Sequence, residues 1–486
     1  MKVIYLILFI FLSSFINIKS DSISANFTTA GEGYTISGDI LTITGEGTYN
    51  FSGYYTNKKI IVSSSCKLNF RGFTINNNES LTPLVISENK VVEIVLFSYS
   101  DLFDSKTNEN NGTIYLESGA SLIISGTGNL CIYPNKSMAI NGSDETSLIV
   151  NDRAYIHIET QSKIIGGIYL GKSITFNNAR LVYNGAKWGL SYYGQKGGNH
   201  AIESGGDIKI IKGYYNIASE KGKGIKSEKV IYIGQKDGAL DDLTLYIETP
   251  NEGIEAKGIN IYSGSIEIKA GDDVIIATSS GTDCDETVQC SGNCACYISI
   301  EGGMLQATAR EDGLNANGDI FISGGIIIVF SNSIDDYQPI DGNGILKITG
   351  GIVIAGGSRY GEVNAQTNQI EKIYRGVITS GDNITINDDL ESEIYSFEAL
   401  KSASYIYFNY ESFFTAKKNG LQLNLSDPSQ NQQQNTQNIS DIQGGSDIQV
   451  QQNGNSKGEE FNDNIGNFLG LPNILFLFGI FILYPI

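Results

Sequence analysis

The sequence predicts an all-β protein wound as a parallel β-helix, and three observations carry that prediction. First, related phrases recur along the middle of the chain: Gly224-Ile225-Lys226-Ser227, Gly253-Ile254-Glu255-Ala256, Asp273-Val274-Ile275-Ile276-Ala277 and Asp312-Gly313-Leu314-Asn315-Ala316. With Ile225, Ile254, Ile275 and Leu314 taken as equivalent, the spacings are 29, 21 and 39, and the longest interval holds a cysteine-rich insert at 281–296. Without the insert the period approaches one solenoid coil. Second, short apolar alternations such as Ile266-Glu267-Ile268 and Ile320-Phe321-Ile322 are followed by Gly-Gly at 302–303, 324–325 and 350–351. That is the pattern of short strands separated by tight corners. Third, no helix-length amphipathic segment separates the strands, which argues against an α/β fold.

Taken in order, residues 1–20 read as a secretory signal peptide: Met-Lys, an apolar run from Val3 to Ile16, then Lys19-Ser20. Residues 21–425 are expected to form the β-helix. The 56 Gly against seven Pro suit its many corners. Residues 426–465, rich in Gln, Asn, Ser and Gly, bury too little apolar surface to offset chain entropy and read as a disordered stalk. The tail 466–486 is apolar and uncharged, with nothing basic after it. That matches a glycosylphosphatidylinositol attachment signal, with Gly454, Asn455 and Ser456 as candidate anchor positions; a tail-anchored helix is the alternative. The expected location is the extracellular face of the plasma membrane.

Export is supported by sequons at Asn26, Asn50, Asn78, Asn111, Asn135, Asn141, Asn383, Asn424 and Asn438. The six cysteines fit an oxidising compartment. Cys284, Cys290, Cys294 and Cys296 crowd into the insert, where two disulfides are favoured over a zinc cluster, and Cys66 with Cys131 is a candidate third pair. The net charge of −20, from 53 acidic and 33 basic residues, leaves no basic stripe and argues against nucleic acid as a partner.

Carboxylates gather near the corners, at Glu252, Glu255, Asp272, Asp273, Glu311, Asp312, Asp335, Asp336 and Asp341. Residues one coil apart stack about 4.8 Å from each other, so like charges there call for a counter-ion. A hard cation answers that need, and calcium is the expected cofactor, with Asp272, Asp273, Glu311, Asp312, Asp335 and Asp336 as candidate ligands. Asp as an ordinary turn residue is the plainer account.

The phrases above, with Gly47-Thr48-Tyr49-Asn50-Phe51-Ser52-Gly53 and Leu122-Ile123-Ile124-Ser125-Gly126-Thr127-Gly128-Asn129-Leu130, resemble a β-helical carbohydrate-binding domain family found in bacterial plant-wall degraders. The resemblance spans roughly 45–360. It implies a right-handed, pectate-lyase-like helix and calcium-assisted binding of acidic or plant-wall polysaccharides. The family's Asp-Asp-Gly-Ile corners are matched best at Asp272-Asp273 and Asp312-Gly313. The disulfide insert and the anchor-like tail depart from the family and suggest a cell-surface role.

For sugar contacts, Trp188, Tyr192, Tyr193 and Tyr214 are the candidate stacking residues, and Lys187, Lys196, Lys223 and Lys226 the candidate partners of uronate carboxylates. A calcium-dependent polysaccharide lyase would need a Lys or Arg base beside the metal, for which Lys226, Lys257, Lys269 and Arg310 are available without forming a motif. His157 and His200 accompany no nucleophile signature. Binding module ranks first, a coat or adhesin without specific glycan second, and the lyase third. No catalytic residue is assigned.

Overall fold

The structure is a computed structural model. It describes residues 31–428 except 80, 105–111, 136, 161–165, 186–199, 220, 279–294, 333–336 and 359–361, together with the backbone of Ser22–Ser24.

The chain coils as a three-walled β-solenoid. Each full coil gives one strand to a 13-stranded sheet, the first wall, and two to a 24-stranded sheet that bends round a corner to make the second and third walls. Gly112–Leu116, Ser121–Gly126 and Asn129–Pro134 form one such coil, and Met138–Gly142 starts the next, parallel and in register with Gly112–Leu116. The strands form because side chains alternate. In Ser265–Ala270, Ile266 and Ile268 are buried while Glu267 and Lys269 face out.

Inward residues stack coil upon coil. On the first wall one unbroken ladder runs from Leu41 through Ile60, Leu84, Ile114, Ile140, Ile168 and Ile202 to Ile225, Ile254, Ile275, Leu314 and Ile340. The four residues taken as equivalent from the sequence are thus paired neighbours in this ladder. Each is fully buried, a contribution of about 2–3 kcal/mol per side chain before chain entropy is charged against it. The insert enters after Ile275–Ala277 and leaves at Tyr297–Ile300, where Ile298 still pairs with Ile259. It therefore lengthens a corner without shifting the coil.

A glycine marks the corner between the second and third walls on four successive coils, and in three of them, at Gly303, Gly325 and Gly351, it is the second of a Gly-Gly pair. Gly264, Gly303, Gly325 and Gly351 all have positive φ (105°, 88°, 93° and 88°) and lie one above another. At Gly325 the ladder register also shifts, as in a β-bulge.

Apart from the two-residue strand Gln366–Thr367, which still pairs in parallel, the parallel order expected through residue 425 ends at Leu346–Gly357. Ala403–Tyr410 pairs antiparallel with that strand and with Ile370–Ile378, and a separate antiparallel sheet holds Asn383–Asn387, Glu393–Glu398, Thr415–Lys418 and Leu421–Gln422. These strands enclose a second core in which Ile384, Phe408 and Phe414 cover Ile328, Phe330 and Ile354, outer-face residues of the last two coils. The solenoid's open edge is thereby paired rather than left as a template for aggregation. At the other end Tyr34–Ser37 forms an antiparallel hairpin with Ile40–Ile43.

Candidate functional site

From Ile202 to Ile340, the residue two places before each inward member of the first-wall ladder occupies a corner column: His200, Lys223, Glu252, Asp273, Asp312 and Gln338. Backbone bonds hold the column in line, with the Gly224, Gly253, Val274 and Gly313 N–H groups donating to the carbonyls of Glu252, Asp273, Asp312 and Gln338 at 2.9–3.1 Å. Several side chains in the column do one job. His200 Nδ1 accepts the Lys223 N–H at 3.0 Å, Asp273 Oδ1 accepts the Asp312 N–H at 2.9 Å, and Asp312 Oδ1 accepts the Gln338 N–H at 2.6 Å. Each ties its own corner to the next. Burial, then the charges of Lys226 and Lys223, pushes His200 down to about 4, so it is neutral at physiological pH.

The expectation of like charges stacked at 252–255 is corrected here. Lys223 Nζ lies 3.0 Å from Glu252 and in close contact with Glu255, and Lys226 pairs with Glu228 at 2.7 Å and Glu203 at 3.5 Å. The outward ladder alternates Glu203, Lys226 and Glu255, so lysines provide the opposite charge. Lys223 and Lys226 are consequently engaged by carboxylates of their own chain. Burial pulls the Lys226 ammonium down, but Glu228 and Glu203 override it and hold the pKa above the ordinary lysine value. That is the reverse of what a catalytic base needs.

One corner further on, Asp272, Asp273 and Glu311 converge, each offering a carboxylate oxygen within 4.8 Å of the others. Asp273 is the buried member, and Asn315 Nδ2 donates to its Oδ2 at 3.0 Å. Burial, with the neighbouring carboxylates of Asp312 and Asp272, pushes it up to about 8. Asp312 is spent on the Gln338 N–H and does not join the three. The donor set is all oxygen, as a hard divalent cation requires. Asp335 and Asp336 lie outside the described residues.

The third wall carries a run of outward aromatic residues. One ladder reads Tyr99, Asn129, Tyr155, Arg180, Tyr214 and Thr244 on successive coils. Beside it Phe103 stacks on Tyr133, with centroids 4.3 Å apart and planes 6° from parallel, and Tyr214 lies 6.1 Å from Tyr246. Tyr214 is the one member of the expected sugar platform within the described residues; Trp188, Tyr192 and Tyr193, with Lys187 and Lys196, lie outside them. Tyr99, Tyr155, Tyr246 and Arg180 escaped sequence reasoning. The signal for them is their place in the coil register, obscured by loops of unequal length.

Cys66 and Cys131 are free thiols, so the third disulfide does not form. Cys66 packs inward with the core, whereas Cys131 faces outward between Asp101 and His157 on the ladder, on the opposite side of the sheet. Burial pushes the Cys66 thiol up to about 12 and raises that of Cys131. Cys296 is buried and disulfide-bonded; Cys284, Cys290 and Cys294 lie outside the described residues. Of the sequons, Asn78, Asn383 and Asn424 are exposed and Asn50, Asn135 and Asn141 partly buried, while Asn26, Asn111 and Asn438 fall outside the described residues. So do the signal, the stalk beyond 428, the tail and Gly454, Asn455 and Ser456.

The described residues form a solenoid with ordered outward ladders and a carboxylate corner. The carbohydrate-binding domain-containing family matches residues 37–336, more than half of the chain, and the chain belongs to that family. That span covers most of the solenoid and stops before the antiparallel cap. No curated protein and no solved structure matches.

Proposed function

We propose that this chain is a secreted, lipid-anchored surface protein that binds acidic or plant-wall polysaccharide through a right-handed parallel β-helix stiffened by calcium. The family match over the solenoid carries the glycan reading. The convergence of Asp272, Asp273 and Glu311 supports the calcium reading: the three would hold the ion and corner carbonyls and water would complete its shell. The cation supplies the positive charge that keeps all three carboxylates ionised. Two disulfides among Cys284, Cys290, Cys294 and Cys296 would pin the insert, and the stalk and tail would present the domain outside the cell.

The test is a glycan array probed with the full chain in calcium, with polygalacturonate also followed for unsaturated product. Retention of acidic polymers without turnover is the expected result. Calcium-dependent unsaturated product would replace binding with lyase chemistry, and a folded protein that retains no glycan would leave the coat reading in its place.

A further inference from the structure

We propose that Arg180, held between Tyr155 and Tyr214 on the outer face of the third wall, is the carboxylate-reading residue of the glycan site, and that a uronate-bearing chain lies along the solenoid axis over this ladder. The inference rests on the glycan reading above and gives it a place and a ligand class.

Arg180 sits on Ala179–Asn184, where Ala179, Leu181 and Tyr183 turn into the core and Arg180 is exposed. Its ladder neighbours are Tyr155 on the coil before and Tyr214 on the coil after. The guanidinium carbon lies 4.7 Å from the Tyr155 ring centre and 5.5 Å from that of Tyr214. Two cation–π contacts therefore fix the side chain without using its N–H donors. In a chain of net charge −20 many cations on the solenoid have acids of their own, as Lys212 has Asp242, Lys223 has Glu252 and Lys226 has Glu228. Arg180 forms no ion pair among the described residues, and neither does the exposed Arg153 at the adjoining corner. The two share an edge: the Arg153 N–H donates to the Asn178 carbonyl at 2.7 Å and the Arg180 N–H to the Ala154 carbonyl at 3.0 Å.

A planar guanidinium with free donors matches a carboxylate in fork geometry, which an ammonium does not. The flanking residues suit a sugar chain. Tyr99, Tyr155 and Tyr214 occupy every second coil of one ladder, roughly 10 Å apart at about 4.8 Å per strand, which approximates the span of one extended disaccharide. Tyr99, Tyr214 and Tyr246 are 51%, 36% and 39% exposed, leaving apolar ring surface and phenolic hydroxyls on either side of the arginine for pyranose C–H and O–H groups. The lysines expected to meet uronates, Lys223 and Lys226, are occupied on another wall.

The experiment compares the full chain with R180Q and R180K, at fixed calcium, by titration with polygalacturonate, the same polymer with its carboxyls reduced, and a neutral β-glucan. R180Q is expected to weaken polygalacturonate binding at least tenfold and leave the reduced polymer unaffected, with R180K restoring only part. An unchanged unfolding midpoint, expected for so exposed a residue, shows that the fold is intact. If R180Q binds polygalacturonate as the wild type does, or loses both polymers equally, this assignment falls while the glycan reading stands. A wild type that retains no glycan overturns both.

Discussion

Replacing Gly325 with valine is expected to destabilise the solenoid by about 3–5 kcal/mol, the sum of a β-branched side chain forced to positive φ and overpacking of a closed corner. Gly325 has φ 93°, and a Cβ there would lie 2.7 Å from the Gly303 carbonyl oxygen of the coil below. Backbone, not a movable side chain, blocks the way, and Gly303 and Gly351 share the column, so the strain has nowhere to spread. Gly381→Ala is the control. Its φ of 89° is equally left-handed, but nothing lies within 4 Å of the added Cβ, so only the conformational cost of about 1–2 kcal/mol applies. Urea unfolding of the two variants against wild type checks the pair; equal losses would mean that the stacked corner does not carry the constraint.

Asp273→Asn is expected to change how stability depends on pH and on calcium. In the metal-free protein Asp273 titrates near 8 against about 4 in an unfolded chain. The folded state therefore keeps a proton that the unfolded state has released, and stability falls as pH rises through that window, by a few kcal/mol at most. Asp341, Glu203 and Glu371 are also held up by burial, so some slope remains in the variant, but the share of Asp273 disappears. Calcium works in the opposite direction because it favours the ionised form. It should raise the wild-type melting temperature more at pH 8 than at pH 5, by an amount set by its concentration relative to Kd, and the Asn variant should lose most of that rise. Melting curves across pH 5–8, with calcium or with chelator, distinguish the two; a calcium response that survives in the variant would remove the corner from the account.

These two cases also show what the sequence makes legible. The coil repeat was readable because Ile225, Ile254, Ile275 and Leu314 sit at a structurally identical place, and so were the acids of the 272–273 and 311 corner, since they adjoin the repeated phrases. The charge balance at 252 and 255 was not. It depends on Lys223 reaching two glutamates on the following coil, a contact between residues about thirty positions apart that no local pattern signals. Cys66 and Cys131 are a candidate pair in the sequence, but the alternation that places Leu130 and Ile132 inside turns Cys131 outward, away from the core that holds Cys66. The tyrosine–arginine ladder stayed hidden for a related reason. Its members are neighbours only after loops of different length have been removed from each coil. The antiparallel cap was missed because Ile370–Ile378 and Ala403–Tyr410 have the same apolar, β-branched and aromatic character as coil strands, and pairing direction leaves little trace in composition.

Whether the solenoid binds an acidic glycan with the help of calcium is read by an equilibrium titration of the full chain with polygalacturonate at pH 8, in calcium and in chelator. Saturable binding in calcium that weakens on chelation is the result expected. A folded chain that shows no saturable binding in either condition would contradict it.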